Sequence, residues 1–217
     1  MKTDQTKTRI QALGELFFQL SDDEQRIARC LYQQLATAKP VELQVLSRQT
    51  GVPLSTTVDT LKEWPGVYFN DAGAVIGFWG LAIDPVSSHQ IVIDDVTLYG
   101  WCAWDTLFIP VLIGKTCQVL AKCKQTGEPI RLEVSPNGVE CASPETVHLS
   151  YVLPDEAEFD RDVVTSFCHF VHFFRDRETA ETWSSKQDGG FVLDLEDSVA
   201  AAHHKIKYEY QWLAVAS

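Results

Sequence analysis

Between Trp101 and Gly114 the chain reads Trp101-Cys102-Ala103-Trp104-Asp105-Thr106-Leu107-Phe108-Ile109-Pro110-Val111-Leu112-Ile113-Gly114. From Trp104 to Ile113 a helix would be apolar on nearly every side, so it has to be buried. The rest of the chain must therefore supply layers that cover it, and Pro110 either kinks it or marks its end. This apolar run nevertheless carries a thiol and a carboxylate, Cys102 and Asp105, three residues apart beside two tryptophans. That spacing is nearly one helical turn, so the two side chains can share a face. An apolar setting disfavours the charged form of an acid. Two readings follow. Cys102 and a half-protonated Asp105 form a proton-transfer pair, or Cys102 is a small buried side chain and Asp105 an N-cap. On spacing alone the second needs fewer assumptions.

A chain of 217 residues suits one large domain or two small ones. Met1-Lys2-Thr3-Asp4-Gln5-Thr6-Lys7 leads into mixed polar sequence, without the apolar core of a signal peptide. No run approaches the roughly 20 apolar residues of a membrane span. The expectation is a soluble, cytoplasmic protein. Its six cysteines, Cys30, Cys102, Cys117, Cys123, Cys141 and Cys168, are then expected as thiols. A formal net charge of −12 opposes docking onto nucleic acid or an anionic membrane, so neither is an expected partner.

The pattern predicts an α+β fold in two parts, a winged-helix-like domain over 1–80 and an α+β sheet domain over 81–217, the part that the resemblance described below would make catalytic. Thr8 to Leu20 has a helical period through Ile10, Leu13, Leu16, Phe17 and Leu20. Ser21-Asp22-Asp23-Glu24 is a capping box opening a helix with Ile27, Leu31 and Leu35 on one stripe. Val41 to Thr50 reads as a short helix stopped by Gly51, and a further helix to Trp64 buries Val58 and Leu61. A hairpin follows, Val67 to Phe69 against Ala74 to Phe78. Helices and then a hairpin look like a winged helix. The would-be recognition helix offers one base, Lys62, against Asp59 and Glu63, too little for phosphate contacts. Beyond it the sequence predicts a mixed, largely antiparallel sheet with the Trp104 helix on one face. Its strands include Ile91 to Ile93, Val96 to Tyr99, Thr116 to Lys122, Ile130 to Val134, Gly138 to Cys141, Val147 to Val152 and Ser166 to Phe174. The remaining helices are Glu178 to Lys186 and Asp194 to Lys207.

If Ser166 to Phe174 is a strand, Cys168, Phe170, His172 and Phe174 share a face. The simplest reading is a core strand with a buried cysteine and a satisfied histidine. Zinc at Cys117, Cys123, His169 and His172 is not favoured, because the spacings are wrong for a structural site. A Cys-His hydrolase using Cys102 or Cys168 with His172 lacks a nucleophile loop and an oxyanion signal. Cys30 and Cys141 have no evident polar partners and read as packing.

The run Trp101 to Pro110 with Leu112-Ile113-Gly114 closely resembles the signature of the organomercurial (alkylmercury) lyase family. So does Ser166-Phe167-Cys168-His169-Phe170-Val171-His172-Phe173-Phe174, followed by Trp183-Ser184-Ser185-Lys186. Cys123-Lys124-Gln125-Thr126-Gly127 and Val134-Ser135-Pro136 also look like family segments. The likeness covers about Leu98 to Lys186; the N-terminal part agrees in architecture more than in residues. It implies protonolysis of a carbon–mercury bond, giving a hydrocarbon and Hg(II). By that likeness Cys102 and Cys168 are the mercury-binding thiols, Asp105 is the proton carrier at the metal, and Cys123 is structural. Many members carry a second cysteine where His169 stands here.

The chemistry can be built separately. Soft mercury prefers thiolate ligands. A second thiolate adds electron density to mercury and makes its carbon ligand carbanion-like, and a carboxyl of raised pKa can then act as general acid. Metal binding promotes thiol deprotonation, so no other cofactor is called for. Trp101, Trp104, Phe170 and Phe174 are candidates for excluding water around an apolar organic group. Bound Hg(II) would leave to low-molecular-weight thiols or, as the resemblance implies, to a mercuric reductase. The competing reading is a winged-helix DNA-binding or metal-sensing regulator without catalysis.

Overall fold

The computed structural model describes residues 3–16, 19–155, 159 and 162–213. Four helices come first: α1 (Asp4–Gly14), α2 (Asp22–Leu35), α3 (Leu43–Thr50) and α4 (Leu54–Glu63). The capping box forms, with the backbone N–H of Ser21 donating to Glu24 at 2.8 Å. Ile27, Leu31 and Leu35 are fully buried along one stripe of α2. Gly51 ends α3 in the left-handed region, where glycine carries no Cβ penalty. In α4 it is Thr57 rather than Val58 that is buried beside Leu61. The first helix is shorter than its periodicity suggests. It stops at Gly14, where a Cβ would lie 2.2 Å from the ring of His204. The C-terminal helix crosses α1 closely at this end. Phe17, counted in the apolar stripe, lies outside the described residues.

The strands are β1 (Val67–Phe69), β2 (Val75–Phe78), β3 (Leu81–Ala82), β4 (His89–Ile93), β5 (Val96–Gly100), β6 (Cys117–Lys122), β7 (Pro129–Ser135) and β8 (Gly138–Ser143). They form one sheet in the order β1-β2-β3-β5-β4-β6-β7-β8. β4 and β5 are joined by Asp94-Asp95, both at positive φ, a two-residue turn whose twist matches that of the strands. A second sheet has the order β10-β9-β11, from β9 (His148–Tyr151), β10 (Phe173–Phe174) and β11 (Phe191–Asp194). Every pairing among the described strands is antiparallel, so the mixed single sheet expected from the pattern is instead two antiparallel sheets. The α+β class itself holds.

The apolar run forms α5 (Asp105–Ile113). It packs against α2, the strands β4, β7 and β8, and the C-terminal helix α8 (Leu195–Glu209). Pro110 sits inside α5 without ending it, and Gly114 caps it in the left-handed region. Trp104 is fully buried at its start, with its indole N–H donating to Ser198 O at 3.0 Å.

The stretch expected as a strand over Ser166 to Phe174 is mostly helical turns. A short helix α6 (Val163–Ser166) is capped by Asp162, whose Oδ1 accepts from the N–H of Val164 and Thr165 at 3.1 Å. A 3-10 turn over Cys168–Phe170 follows, and only Phe173–Phe174 pair as strand. Phe167 and Cys168 are adjacent and both buried. The buried hydroxyl of Ser150 holds the turn, donating to Phe170 O at 2.7 Å and accepting from His172 N–H at 3.2 Å. Of the two cysteines expected as packing, Cys141 is exposed, whereas Cys30 is half-buried against the core with its thiol donating to Gln49 Oε1 at 3.1 Å. Helix α7 (Arg177–Ser184) covers the second sheet. Among the described residues, no helix is long and apolar enough to cross a membrane.

At the C-terminal end of α8, Lys205 and Glu209 pair one turn apart, 1 % and 0 % exposed. Burial pulls the lysine down and pushes the glutamate up, and each partner partly restores the other. Removing one member of such a pair leaves a bare buried charge. Lys205→Ala should therefore cost about 3–5 kcal/mol, whereas Lys205→Met with Glu209→Leu should be near neutral. Urea denaturation of the two variants checks this.

Candidate active site

Three side chains from two distant segments meet where β5 runs into α5. One ligand atom from each of Cys102, Asp105 and Cys168 lies within 4.8 Å of the others, and all three residues are buried. Cys102 and Asp105 come from the tight turn that links β5 to α5. Asp105 is the first residue of the helix rather than its N-cap, a position taken by Trp104. Its Oδ2 reaches back to accept the backbone N–H of Cys102 at 2.6 Å. Thr106 closes the same turn, its hydroxyl donating to Ala103 O at 2.7 Å.

Cys168 arrives on the 3-10 turn after α6. The two segments are joined directly, with Ala103 N–H donating to Val171 O at 3.3 Å. Phe167 packs edge-on against the Trp104 ring at 5.9 Å, which fixes the turn over the start of α5. The indole of Trp104 thus holds the two cysteine segments together.

A signal not apparent in the sequence is Gly80, in the bend between β2 and β3. Its φ is +89°, and a Cβ there would lie 2.5 Å from Asp105 Oδ1. The carboxylate occupies space that any side chain at residue 80 would take. Gly80 O also accepts the N–H of Trp101 at 3.1 Å, tying this bend to the segment that carries Cys102.

Burial dominates the electrostatics. It raises the Asp105 carboxyl to about 7, against the stabilising backbone and thiol hydrogen bonds from Cys102 and the positive charge of Lys205. Burial likewise pushes the Cys102 thiol well up, and its hydrogen bond to Cys168 and the Asp105 charge add to this. For Cys168 the hydrogen bond from Cys102 favours the thiolate, but burial and the Asp105 charge outweigh it, so this thiol also moves up. The site therefore holds protons near neutrality: two thiols and a carboxyl close to half-titrated.

Access is uneven. A cleft of about 480 Å³ opens onto Cys168, lined among others by His89, Cys123, Lys124, His169 and His172. Cys102 and Asp105 do not line it. A gap of about 20 Å³ behind Cys168 reaches Asp105, walled by Trp79, Gly80, Trp101, Phe108 and Lys205. That is room for about one water.

The other candidate ligands do not join the cluster. Cys123 sits in the turn after β6, its N–H donating to Glu128 O and its carbonyl accepting from Gly127, both at 2.8 Å. Burial pushes its thiol up, but hydrogen bonds from Thr126 outweigh this and the net shift is down. Cys117 belongs to β6, and burial pushes it up to about 12. His172 packs edge-on against Trp183 at 5.0 Å, and burial pulls it down to about 3. It is neutral, and its Nε2 has no hydrogen-bond partner among the described residues. His169 is exposed at the cleft rim beside Phe170. Two of the four aromatics expected around the site lie elsewhere: Phe174 is buried against Trp183, and Phe170 lines a separate surface cavity.

Residues 85–206 match the family model described as alkylmercury lyase (MerB). Relatives named alkylmercury lyase include one from Bacillus cereus, 38 % identical over 170 residues, covering 78 % of this chain and 76 % of the relative. One from Staphylococcus epidermidis is 35 % identical over 176 residues, covering 81 % and 79 %. One from Pseudomonas putida is 34 % identical over 179 residues, covering 81 % and 82 %. The crystal structure of the mercury-bound form of MerB2 superposes with a TM-score of 0.75 at 23 % identity, covering 93 % of this chain and 98 % of that one. That likeness is one of fold.

The close approach at residue 80 gives a direct test. Gly80→Ala should cost about 1–3 kcal/mol through backbone strain and push the carboxylate out of its niche. The Asp105 carboxyl should then titrate below its present value, because burial is what raises it. Gly73→Ala is the control: Gly73 also has positive φ, but nothing lies within 4 Å of the added Cβ. It should cost strain alone and leave Asp105 unchanged. Carboxyl-carbon NMR titration reads both.

Proposed function

Since the chain belongs to the alkylmercury lyase family, we propose that Cys102 and Cys168 take the mercury of an organomercurial between them and that Asp105 carries the proton to carbon. The observation that supports this most is the convergence of two thiols and one carboxyl of raised pKa at a single buried point. Two thiols alone would make a trap for Hg(II). The carboxyl supplies what cleavage needs in addition.

The reaction is protonolysis of the carbon–mercury bond, and the geometry suggests an order. Cys168 faces the open cleft and meets the substrate first. Its sulfur displaces the thiolate that carries R–Hg in solution, and its proton leaves with that thiolate. Cys102 then adds to mercury and passes its proton to the Asp105 carboxylate, its hydrogen-bond partner. The carbon–mercury bond breaks with its electron pair on carbon, which takes the proton from Asp105. The products are R–H and Hg(II) held by two thiolates, and Asp105 is again a carboxylate. No step calls for a cofactor. Release of Hg(II) requires competing thiols, and small thiols or a mercuric reductase entering through the Cys168 cleft would supply them.

The N-terminal segment fits the same reading. We read residues 1–80 as a winged-helix-like unit and 81–217 as the catalytic part. The wing, β1 and β2, is hydrogen-bonded through β3 into the main sheet, so it walls the site. A DNA-binding or sensing role is not favoured: α4 offers Lys62 as its one base, and the named relatives are lyases. A cytoplasmic location suits thiol exchange of this kind.

Asp105→Asn should retain Hg(II) binding through both thiols but lose about 10²–10⁴-fold in turnover, the usual weight of a general acid–base group. Cys102→Ala and Cys168→Ala should each abolish hydrocarbon release. Gas chromatography of benzene or methane from phenyl- or methylmercury measures all three, and undiminished turnover in any variant removes that residue from the mechanism.

The free enzyme must have Asp105 ionised to receive a thiol proton. Its folded pKa is raised to about 7, so kcat/KM should climb as pH rises through that region. It should fall again at higher pH as the thiols lose the protons that the reaction consumes. In Asp105→Asn the lower limb should vanish.

A further inference from the structure

A second cavity, of about 280 Å³, adjoins the cleft that opens on Cys168 and shares Trp101 and Val164 with it. Its other walls are Tyr68 of β1, Ile76 and Gly77 of β2, Ala82 of β3, and Val86. Asp84 is the one charged residue among those described that line it. Two of its walls, Tyr68 and Val86, are large apolar side chains left 46 % and 59 % exposed at the rim. The two cavities differ in chemistry. The cleft over Cys168 is polar, with His89, Lys124 and serines 87 and 88 around it, whereas this chamber is almost wholly hydrocarbon.

Trp101 is the partition, and it is firmly seated. Its six-membered ring lies against the backbone of Gly66, where a Cβ would meet it at 3.0 Å. Tyr68 packs edge-on against it at 5.2 Å.

Resting on the lyase reading, we propose that this chamber receives the organic group of the substrate, so that Tyr68, Ile76, Ala82, Val86, Trp101 and Val164 set the preference among organomercurials. Two-coordinate mercury is linear, so a group R on mercury held by Cys168 points away from that sulfur. A phenyl or longer alkyl group gains nothing from the polar cleft and is desolvated in the chamber, as ligand pockets with mostly apolar walls do. A methyl group has little hydrocarbon surface to bury there. The chamber therefore acts on bulky substrates and leaves methylmercury alone.

The test is the ratio of kcat/KM for phenylmercury and methylmercury, each supplied as its cysteine complex, with benzene and methane measured by gas chromatography. Val86→Phe narrows the chamber from its exposed rim, so it needs no buried space to fold; Ala82→Leu fills it from inside. In a hydrophobic pocket one methylene changes specificity by about 10–200-fold, so phenylmercury should lose at least about tenfold in each variant while methylmercury stays within about twofold. An unchanged ratio in Val86→Phe, whether both substrates fall together or neither moves, overturns the proposal, and it decides alone should Ala82→Leu fail to fold. Wild-type enzyme that releases no hydrocarbon from either compound would overturn the lyase reading itself, a separate result from a wild-type turnover that Val86→Phe does not redirect.

Discussion

The site depends on one hydrogen bond, from the backbone N–H of Cys102 to the carboxylate of Asp105 at 2.6 Å. A carboxylate taken out of water is costly unless donors replace the lost hydration. Here the donors are supplied by the turn that carries the thiol, so the acid and the sulfur are fixed relative to each other before any substrate arrives. Gly80 completes the arrangement by leaving room where a side chain would collide with Oδ1. Loss of that room or of that turn would move the acid away from the thiol without altering either residue.

Elements with local causes were legible in the sequence. The capping box before α2, the Asp94-Asp95 turn and the alternation of β6 and β7 depend on residues a few positions apart, and each formed as the pattern suggests. The run around α5 was legible for the opposite reason: a thiol and an acid inside an apolar segment contradict their surroundings, and such contradictions concentrate at functional sites. The resemblance to the lyases rested on the same residues. What was hidden depended on distant partners. Phe167 to Phe174 alternates like a strand, yet Asp162 and Ser150 provide hydrogen bonds that wind it into turns and bring Cys168 over α5. Nothing near Gly80 announces that Asp105 will lie against it. The apolar chamber escaped notice because its walls come from the N-terminal hairpin, β3 and Val164, segments read separately as a wing and as sheet core.

The two open faces of the site carry opposite chemistry, with Trp101 between them. On one side the cleft presents the buried, neutral imidazoles of His89 and His172, two lysines and the Cys123 turn beside Cys168. That surroundings suits polar thiols and their exchange at mercury. On the other side the hairpin and Val86 present hydrocarbon. A molecule with a soft metal at one end and an apolar group at the other matches this division. In the proposed reaction the N-terminal hairpin, through Tyr68, Ile76 and Gly77, supplies part of that hydrocarbon wall.

Burial of the thiols and the acid together has a consequence that burial of either alone would not. Exposed thiols bind mercury well, but they lose their protons to solvent as they do so, and a carbanion-like carbon would then have to wait for water. Inside this core each ionisation is made harder, so the protons stay where they are until mercury displaces them. In the proposed reaction the displaced proton passes to the Asp105 carboxyl, whose affinity for it burial raises to about 7, strong enough to accept from a metal-bound thiol and weak enough to yield to carbon. The same desolvation that makes the site expensive to fold thus keeps the acid and its proton within reach of the bond that breaks.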